Sequence, residues 1–262
     1  MEQQRFVRKN TNVFETQRRN EKKHTRRTVF YVILFLSVTV VFLGVCFAVF
    51  LNVSEITVVG NEKYSAEEII SYVPIEPGEN IYLFDAEATE ELIKQKLPFV
   101  GDIEIERDLP STIVLNVTEE KPIFAIDLAG STFILSSELK VLEKTNVKAE
   151  QTGLAVLRTP SVQKCMVGEI VEFVDERTYD AIVELYDSLE AEYINEKLRS
   201  VDAESRFDIY INYDNRFDVY VGDTVNINLK IRFLVGIIDK LGEKTKGTID
   251  ISEANEAAVA LS

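Results

Sequence analysis

Histidine is almost missing: the 262 residues hold one, His24, and only two cysteines, Cys46 and Cys165. One imidazole cannot assemble a histidine-based zinc site, and a Ser-His-Asp triad elsewhere in the chain would have to recruit that same residue. Two cysteines cannot staple a disulfide framework. Charge is missing too, but locally. Residues 29–51 contain none, and seventeen of those twenty-three positions are Val, Ile, Leu or Phe.

As a helix rising about 1.5 Å per residue, this stretch is roughly 34 Å long, enough to cross a hydrocarbon core of about 30 Å. Its apolar side chains favour insertion by roughly 5 to 10 kcal/mol, an upper bound because end positions count less. A core helix of a soluble protein normally keeps a polar face, and this one has none. A cleaved signal peptide has an apolar region of about 7 to 15 residues closed by an A-x-A pattern, which does not fit either. The stretch is read as an uncleaved anchor. Before it, Arg5, Arg8, Lys9, Arg18, Arg19, Lys22, Lys23, Arg26 and Arg27 face only Glu2, Glu15 and Glu21. The positive-inside rule then predicts residues 1–28 in the cytoplasm and everything after 51 exported. His24 and Cys165 fall on opposite sides, which removes a Cys-His pair, and Cys46 lies within the span.

The formal charge of −15 hides two halves: the tail carries +6, and the remainder, with twenty basic and forty-one acidic residues, carries −21. So acidic an exported part argues against nucleic-acid binding. The basic tail is read as a topology signal that touches anionic lipid. Among forty-one carboxylates chance pairs are plentiful, so no pair picked from the sequence supports a wall hydrolase.

Residues 52–121 read as a small domain. Ile56 to Val59 is a short β-branched strand, turned out by Gly60-Asn61. Ser65 and Glu68 form a capping box for a helix with Ala66, Ile69, Ile70 and Val73 on one face, ended by Pro74 and Pro77-Gly78. A second helix has Asp85 as N-cap, places Ala88, Leu92, Ile93 and Leu97 inward, and stops before Pro98. Two strands follow. Ile103 and Ile105 alternate with Glu104 and Glu106; after the turn Asp108-Leu109-Pro110-Ser111, Ile113, Leu115 and Val117 alternate with polar or smaller residues.

This β-α-α-β-β order beside an anchor resembles a POTRA domain, and its wording resembles the FtsQ/DivIB family. The segments that carry the resemblance are Ile56-Thr57-Val58-Val59-Gly60-Asn61, Ser65 to Ile69, Gly78-Glu79-Asn80-Ile81 and Leu97-Pro98-Phe99-Val100. Arg107-Asp108-Leu109-Pro110-Ser111-Thr112 and Val117-Thr118-Glu119-Glu120-Lys121-Pro122 complete the set. Each is weak alone; their order is specific.

Residues 122–262 read as a second exported domain. Ile123 to Asp127 and Thr132 to Leu135 form a hairpin around Ala129-Gly130, although Ser136-Ser137-Glu138-Leu139-Lys140 departs from the Asp and Gly that the family commonly has next. Thr145 to Gln151 and Arg158 to Gly168 read as connections, with Pro160 as a breaker. A helix from Glu176 to Leu189 puts Tyr179, Ile182, Val183, Tyr186 and Leu189 on one face. Phe207, Ile209, Ile211 and Tyr213 alternate, Asp214-Asn215 turns, and Phe217, Val219 and Val221 return. A helix with Ile227, Ile231, Leu234, Ile238 and Leu241 follows, stopped by Gly242; Gly247 to Ile251 and Ala257 to Leu261 are the last strands. With Lys230 on that helix, these landmarks are similar to the β domain of the family.

The predicted fold is therefore α+β: one transmembrane helix, a POTRA domain, and a mixed α/β "β domain" with a mainly antiparallel sheet. The resemblance implies a non-enzymatic division protein at the septum. It would support septal peptidoglycan synthesis machinery by binding bitopic partners of the FtsL and FtsB/DivIC types, and no cofactor is implied. A POTRA-type chaperone or interaction module of an extracytoplasmic transport system is the alternative. Ala257, Ala258, Val259, Ala260 and Leu261 carry no charge and no proline, and with one residue after them they are expected at a sheet edge. Natural edges are blunted by charge or bulges, so an unblunted one is a candidate for strand addition by a partner. The resemblance implies partner binding at the same place.

Overall fold

A computed structural model of the chain describes residues 27–47, 50–159, 162–242, 244–254 and 256–261. The expected cytoplasmic tail, His24 and Pro160 lie outside these residues, apart from Arg27 and Thr28. Helix α1, Arg27–Phe47, has a mean hydropathy of 2.7 over its most apolar window, none of it buried. A helix apolar all round, its most apolar stretch unburied among the described residues, matches a lipid environment and not a protein core. Its hydroxyls are turned back on the helix: Ser37 Oγ donates to the Leu34 carbonyl at 2.8 Å and Thr39 Oγ1 to that of Phe35 at 2.9 Å. The chain is a single-pass membrane protein.

The chain divides into two compact units. The first joins residues up to Ile56 with Ile75–Phe84 and Arg107–Val114; the second holds Thr57–Pro74, Asp85–Glu106 and the chain from Leu115 onward. After α1 the elements run β1 (Glu55–Val59), α2 (Ala66–Ile70), α3 (Ala86–Lys96), β2 (Val100–Asp108) and β3 (Thr112–Glu119), with β3 central in a three-stranded sheet β1-β3-β2. Ile103, Ile105, Ile113, Leu115 and Val117 are buried and Glu104 is exposed, as the alternation predicts. Gly60 has φ +89°, and a β-carbon there would stand 2.1 Å from the Val117 carbonyl oxygen, so the chain can leave β1 only through glycine.

The helices differ from expectation in detail. Helix α2 is capped by Ser65, whose Oγ accepts the Glu68 amide at 3.2 Å, but it ends at Ile70, before Val73. In α3 the Asp85 carboxylate accepts the Ala88 amide at 3.2 Å, yet Ala88 is exposed and Thr89 is buried in its place. The Thr89 hydroxyl donates to the Asp85 carbonyl at 2.7 Å, and with its donor satisfied the side chain can share the Ile93 face.

The rest of the second unit is built on a nine-stranded sheet, ordered β14-β13-β12-β11-β10-β7-β4-β5-β6. Its strands are β4 (Phe124–Leu128), β5 (Ser131–Leu135), β6 (Val141–Thr145), β7 (Ala155–Arg158), β10 (Leu198–Asp202), β11 (Ile209–Tyr213), β12 (Phe217–Gly222), β13 (Gly247–Asp250) and β14 (Ala258–Leu261). Three neighbouring pairs, β4·β7, β7·β10 and β12·β13, are parallel and the other five antiparallel. The region from Arg158 to Gly168, expected as a plain connection, contains β8 (Val162–Lys164), paired with β9 (Glu172–Phe173). Phe207, expected to open the β11 alternation, is exposed and precedes the strand. Leu139 sits at φ +55° in the turn after β5, fully buried, with the Ser136 amide donating to the Lys140 carbonyl at 2.9 Å across it.

Helices α4 (Arg177–Ala191) and α5 (Ile227–Ile238) pack on each other and on one core with the sheet strands. On α4 the buried face centres on Ile182, Leu185 and Leu189, with Tyr179 and Val183 only partly covered. Leu185, not among the residues expected on this face, is buried beside Tyr186. On α5 the buried residues are Ile227, Lys230, Ile231 and Leu234, and the helix stops at Ile238, short of Leu241 and Gly242.

Candidate partner-binding edge

The β12 strand, α5 and β13 form a parallel crossover, and β14 then folds back antiparallel along β13. Two contacts fix β13 against β12: the Gly247 amide donates to the Arg216 carbonyl at 3.1 Å and the Ile251 amide to that of Tyr220 at 2.9 Å. Arg216 also reaches into the loop before β13, Nε to the Thr245 carbonyl at 3.1 Å and a terminal nitrogen to that of Gly242 at 2.7 Å. The Asp250 carboxylate closes the far end by accepting the Ser252 amide at 2.9 Å and its hydroxyl at 2.7 Å.

These bonds settle which way the backbone of β14 faces. Odd-numbered residues of β13 point their amides at β12, so Thr248 and Asp250 point theirs at β14. Their partners are Ala260 and Ala258. It follows that the amides and carbonyls of Val259 and Leu261 face away from the sheet. Since β14 is the terminal strand of the order, these groups form an open edge among the described residues. Val259 is 41% and Leu261 55% exposed, and Ala258 and Ala260 are exposed as well. Ala257 lies just before the strand and is partly buried against the core. Four of the five candidate residues are thus on the edge and the fifth anchors its start.

The sheet face carrying Ala258 and Ala260 holds a shallow depression of about 270 Å³, lined also by Tyr210, Asp218, Tyr220, Thr248 and Asp250. Tyr210 and Tyr220 are cross-strand partners with ring centroids 4.7 Å apart. The Tyr220 hydroxyl donates to Asp208 at 2.9 Å, and that carboxylate, followed by partial burial, pushes the Tyr220 pKa up.

Lys230 clamps the end of β12. It is 2% exposed, and its ammonium donates to the carbonyls of Val221 at 3.1 Å and Asp223 at 2.9 Å and to the Asp223 carboxylate at 3.1 Å. Burial alone would raise the Asp223 pKa, but the Lys230 and Val225 hydrogen bonds outweigh it and hold the carboxyl low. The clamp joins the end of β12 to the first turn of α5. Its signal was visible in the sequence, because Lys230 stands on the apolar stripe between Ile227 and Ile231.

Neither cysteine is bonded, and among the described residues no three His, Cys, Asp or Glu side chains converge as metal ligands. What this region offers is backbone hydrogen bonding and apolar area.

Comparison with known proteins agrees with the sequence resemblance. Residues 51–120 match the family described as POTRA domain, FtsQ-type. The chain is 25% identical to the cell division protein FtsQ of Corynebacterium glutamicum over 84% of this chain and 94% of that one. It is 25% identical to the cell division protein DivIB of Clostridium acetobutylicum, over 78% and 80% of the two chains. With DivIB of Clostridium tetani the identity is 24%, covering 85% and 83%.

Proposed function

We propose, from the premise that the chain belongs to the FtsQ/DivIB family of cell division proteins, that it is a non-enzymatic scaffold of the divisome. It holds septal peptidoglycan synthesis machinery in place by binding other bitopic division proteins, of the FtsL and FtsB/DivIC types. Residues 1–28 face the cytoplasm, 29–51 span the membrane, and a POTRA domain (52–121) and a β domain (122–262) work outside it, at the division septum.

The single observation that carries the partner reading is the unblunted edge of β14. Each of Val259 and Leu261 offers one donor and one acceptor to an incoming strand. Four such bonds, at roughly 0.5 to 1.5 kcal/mol each, supply about 2 to 6 kcal/mol, which is too little alone for tight association. Side-chain burial at Val259 and Leu261, and tethering of both partners in one membrane, supply the rest.

Val259→Pro tests this reading cleanly. Proline deletes a donor that points away from the sheet, so the β13·β14 ladder keeps its own bonds. The expected result in cells is reduced co-purification of the FtsB/DivIC-type partner, with the variant still present at wild-type abundance. Full recovery of that partner with the folded variant would remove the edge from consideration. A tagged wild-type chain is expected as a mid-cell band; an even membrane signal would speak against a divisome role.

A further inference from the structure

The chain leaves its membrane helix and is tied straight back to it. Asn52 and Asn80 form an antiparallel bridge, the Val53 amide donates to the Glu79 carbonyl at 2.8 Å, and the Ile81 amide donates to that of Leu51 at 2.8 Å. The tie reaches further down. Asn80 Nδ2 donates to the Phe47 carbonyl at 3.3 Å, and the rings of Phe47 and Tyr82 stack with centroids 5.5 Å apart and planes 22° from parallel. The turn at 80–84 therefore lies against the Phe47 end of the helix.

That turn is tied by hydrogen bonds and presents its two central residues outward. Ile81 and Phe84 are buried, whereas Tyr82 and Leu83 between them are 47% and 81% exposed. The Leu83 amide donates to the Asn80 carbonyl at 2.9 Å and the Tyr82 amide to the Asn80 side chain at 3.0 Å. Arg107 staples both shoulders, donating to the carbonyls of Ile81 at 3.0 Å and Phe84 at 3.3 Å, with its guanidinium 5.6 Å from the Tyr82 ring centre. The turn between β2 and β3 adds Leu109, 53% exposed, two residues before Ser111, whose carbonyl accepts the Ser54 amide at 2.8 Å.

A single exposed leucine is ordinary on a soluble surface. Position makes the difference here. Phe47 lies seven residues past Val40, the midpoint of the uncharged stretch, and so roughly 10 Å from the midplane of a slab about 15 Å in half-thickness. A ring stacked on Phe47 sits near the outer boundary of the hydrocarbon, the level at which tyrosine is favoured for its apolar body and polar tip. Arginine is favoured there too, by anionic headgroups. Of the acidic neighbours, Glu79 is engaged by the Glu76 amide at 3.0 Å, and Asp108 is exposed.

We propose that Tyr82, Leu83 and Leu109 form a second membrane contact beside the transmembrane helix, and that its occupant is lipid of the same bilayer. The surface is continuous with α1, whose own exposed flank is covered by that lipid. Tyr82 and the two leucines enter the interfacial layer, Arg107 holds the turn that presents them, and the anchor becomes a two-point attachment that resists rocking about the helix end.

The test is spin-label accessibility in the full-length protein, reconstituted in phosphatidylglycerol-containing vesicles, with Cys46 and Cys165 replaced by alanine. Labels are placed one at a time as Leu83→Cys and Leu109→Cys, both on exposed positions that folding does not need, and as Phe35→Cys inside the span. The expected result is that collisions with oxygen exceed those with a water-soluble nickel complex at all three positions. Collisions favouring nickel at 83 and 109, with 35 still in lipid, overturn the proposal while leaving the transmembrane reading intact. Low collision rates with both reagents at 83 and 109 mean a protein cover and overturn it equally. Nickel-favoured collisions at 35 would overturn the span and this contact together.

Discussion

Gly247 lies directly under the carbonyl of Ala260: a β-carbon at position 247 would stand 2.1 Å from that oxygen and 3.0 Å from the Leu261 α-carbon. Glycine here lets β14 seat on β13. Gly247→Ala is therefore expected to push the distal end of β14 away without disturbing the core, because Gly247 contributes no side chain to it. Recovery of the proposed FtsB/DivIC-type partner should fall, while thermal stability changes by about 1 kcal/mol or less, as at other surface strand sites. Loss of stability as large as that of a core truncation would show that β14 is integral to the fold and not a seat for a partner.

The Lys230 clamp leads to a different expectation. Lys230→Met keeps the apolar stem but strands the buried Val221 carbonyl, at about 1 to 3 kcal/mol, and the half-buried Asp223 carbonyl at about 1 kcal/mol, so a loss of about 2 to 4 kcal/mol is expected in chemical denaturation. The carboxylate side is softened because the Asp223 side chain is 43% exposed. The folded Asp223 pKa is depressed, so its contribution is present above the unfolded value of about 3.9 and is lost as pH falls through the lower folded one. Acid titration should accordingly unfold the wild type with a steeper loss below pH about 4 than the variant, which has already lost that coupling.

How far the sequence could be read depended on whether one side chain or one contact decided the outcome. Alternation placed β2, β3, β11 and β12 because one face of each is buried, and the lack of charge placed α1. Parallel neighbours such as β7 between β4 and β10 were not legible, since their pairing joins residues 31 and 44 positions apart in the chain and their own alternation is short. Helix faces were legible to within one position: Thr89 replaced Ala88 because a hydroxyl that bonds back to Asp85 can be buried, a choice that apolarity alone does not signal. At the candidate edge, residues 257–261 were legible as an uncharged strand, but the outward direction of Val259 and Leu261 and the clearance at Gly247 arise only from pairing with β13.

The register of β2 and β3 is open to direct test. Ile105 and Leu115 are buried at 7% and 0%, so Ile105→Ala and Leu115→Ala should each cost roughly 2 to 5 kcal/mol through lost burial and the cavity left behind. Glu104→Ala, on the exposed face of the same strand, should stay within about 0.5 kcal/mol. Denaturant midpoints of the three variants should separate into two groups, and equal midpoints would mean that the inward and outward faces are exchanged.

Cys165 is the remaining group with a sharply altered chemistry. Burial pushes its thiol up to about 11. It also packs against the apolar core of the second unit, so a reagent meets both a protonated sulfur and a partly covered one. At pH 8 the fraction of reactive thiolate in the folded protein should be roughly a hundredfold or more below that of an unfolded chain, whose cysteine titrates near 8.5. The folded state keeps its proton while the unfolded state gives one up, so stability should fall as pH rises through the unfolded value toward the folded one. Iodoacetamide trapping in a Cys46→Ala background is the measurement: slow alkylation at pH 8 that accelerates on adding denaturant is expected. Rapid alkylation of the folded protein would mean that the 165–167 segment opens to solvent and that Cys165 is not held by the core.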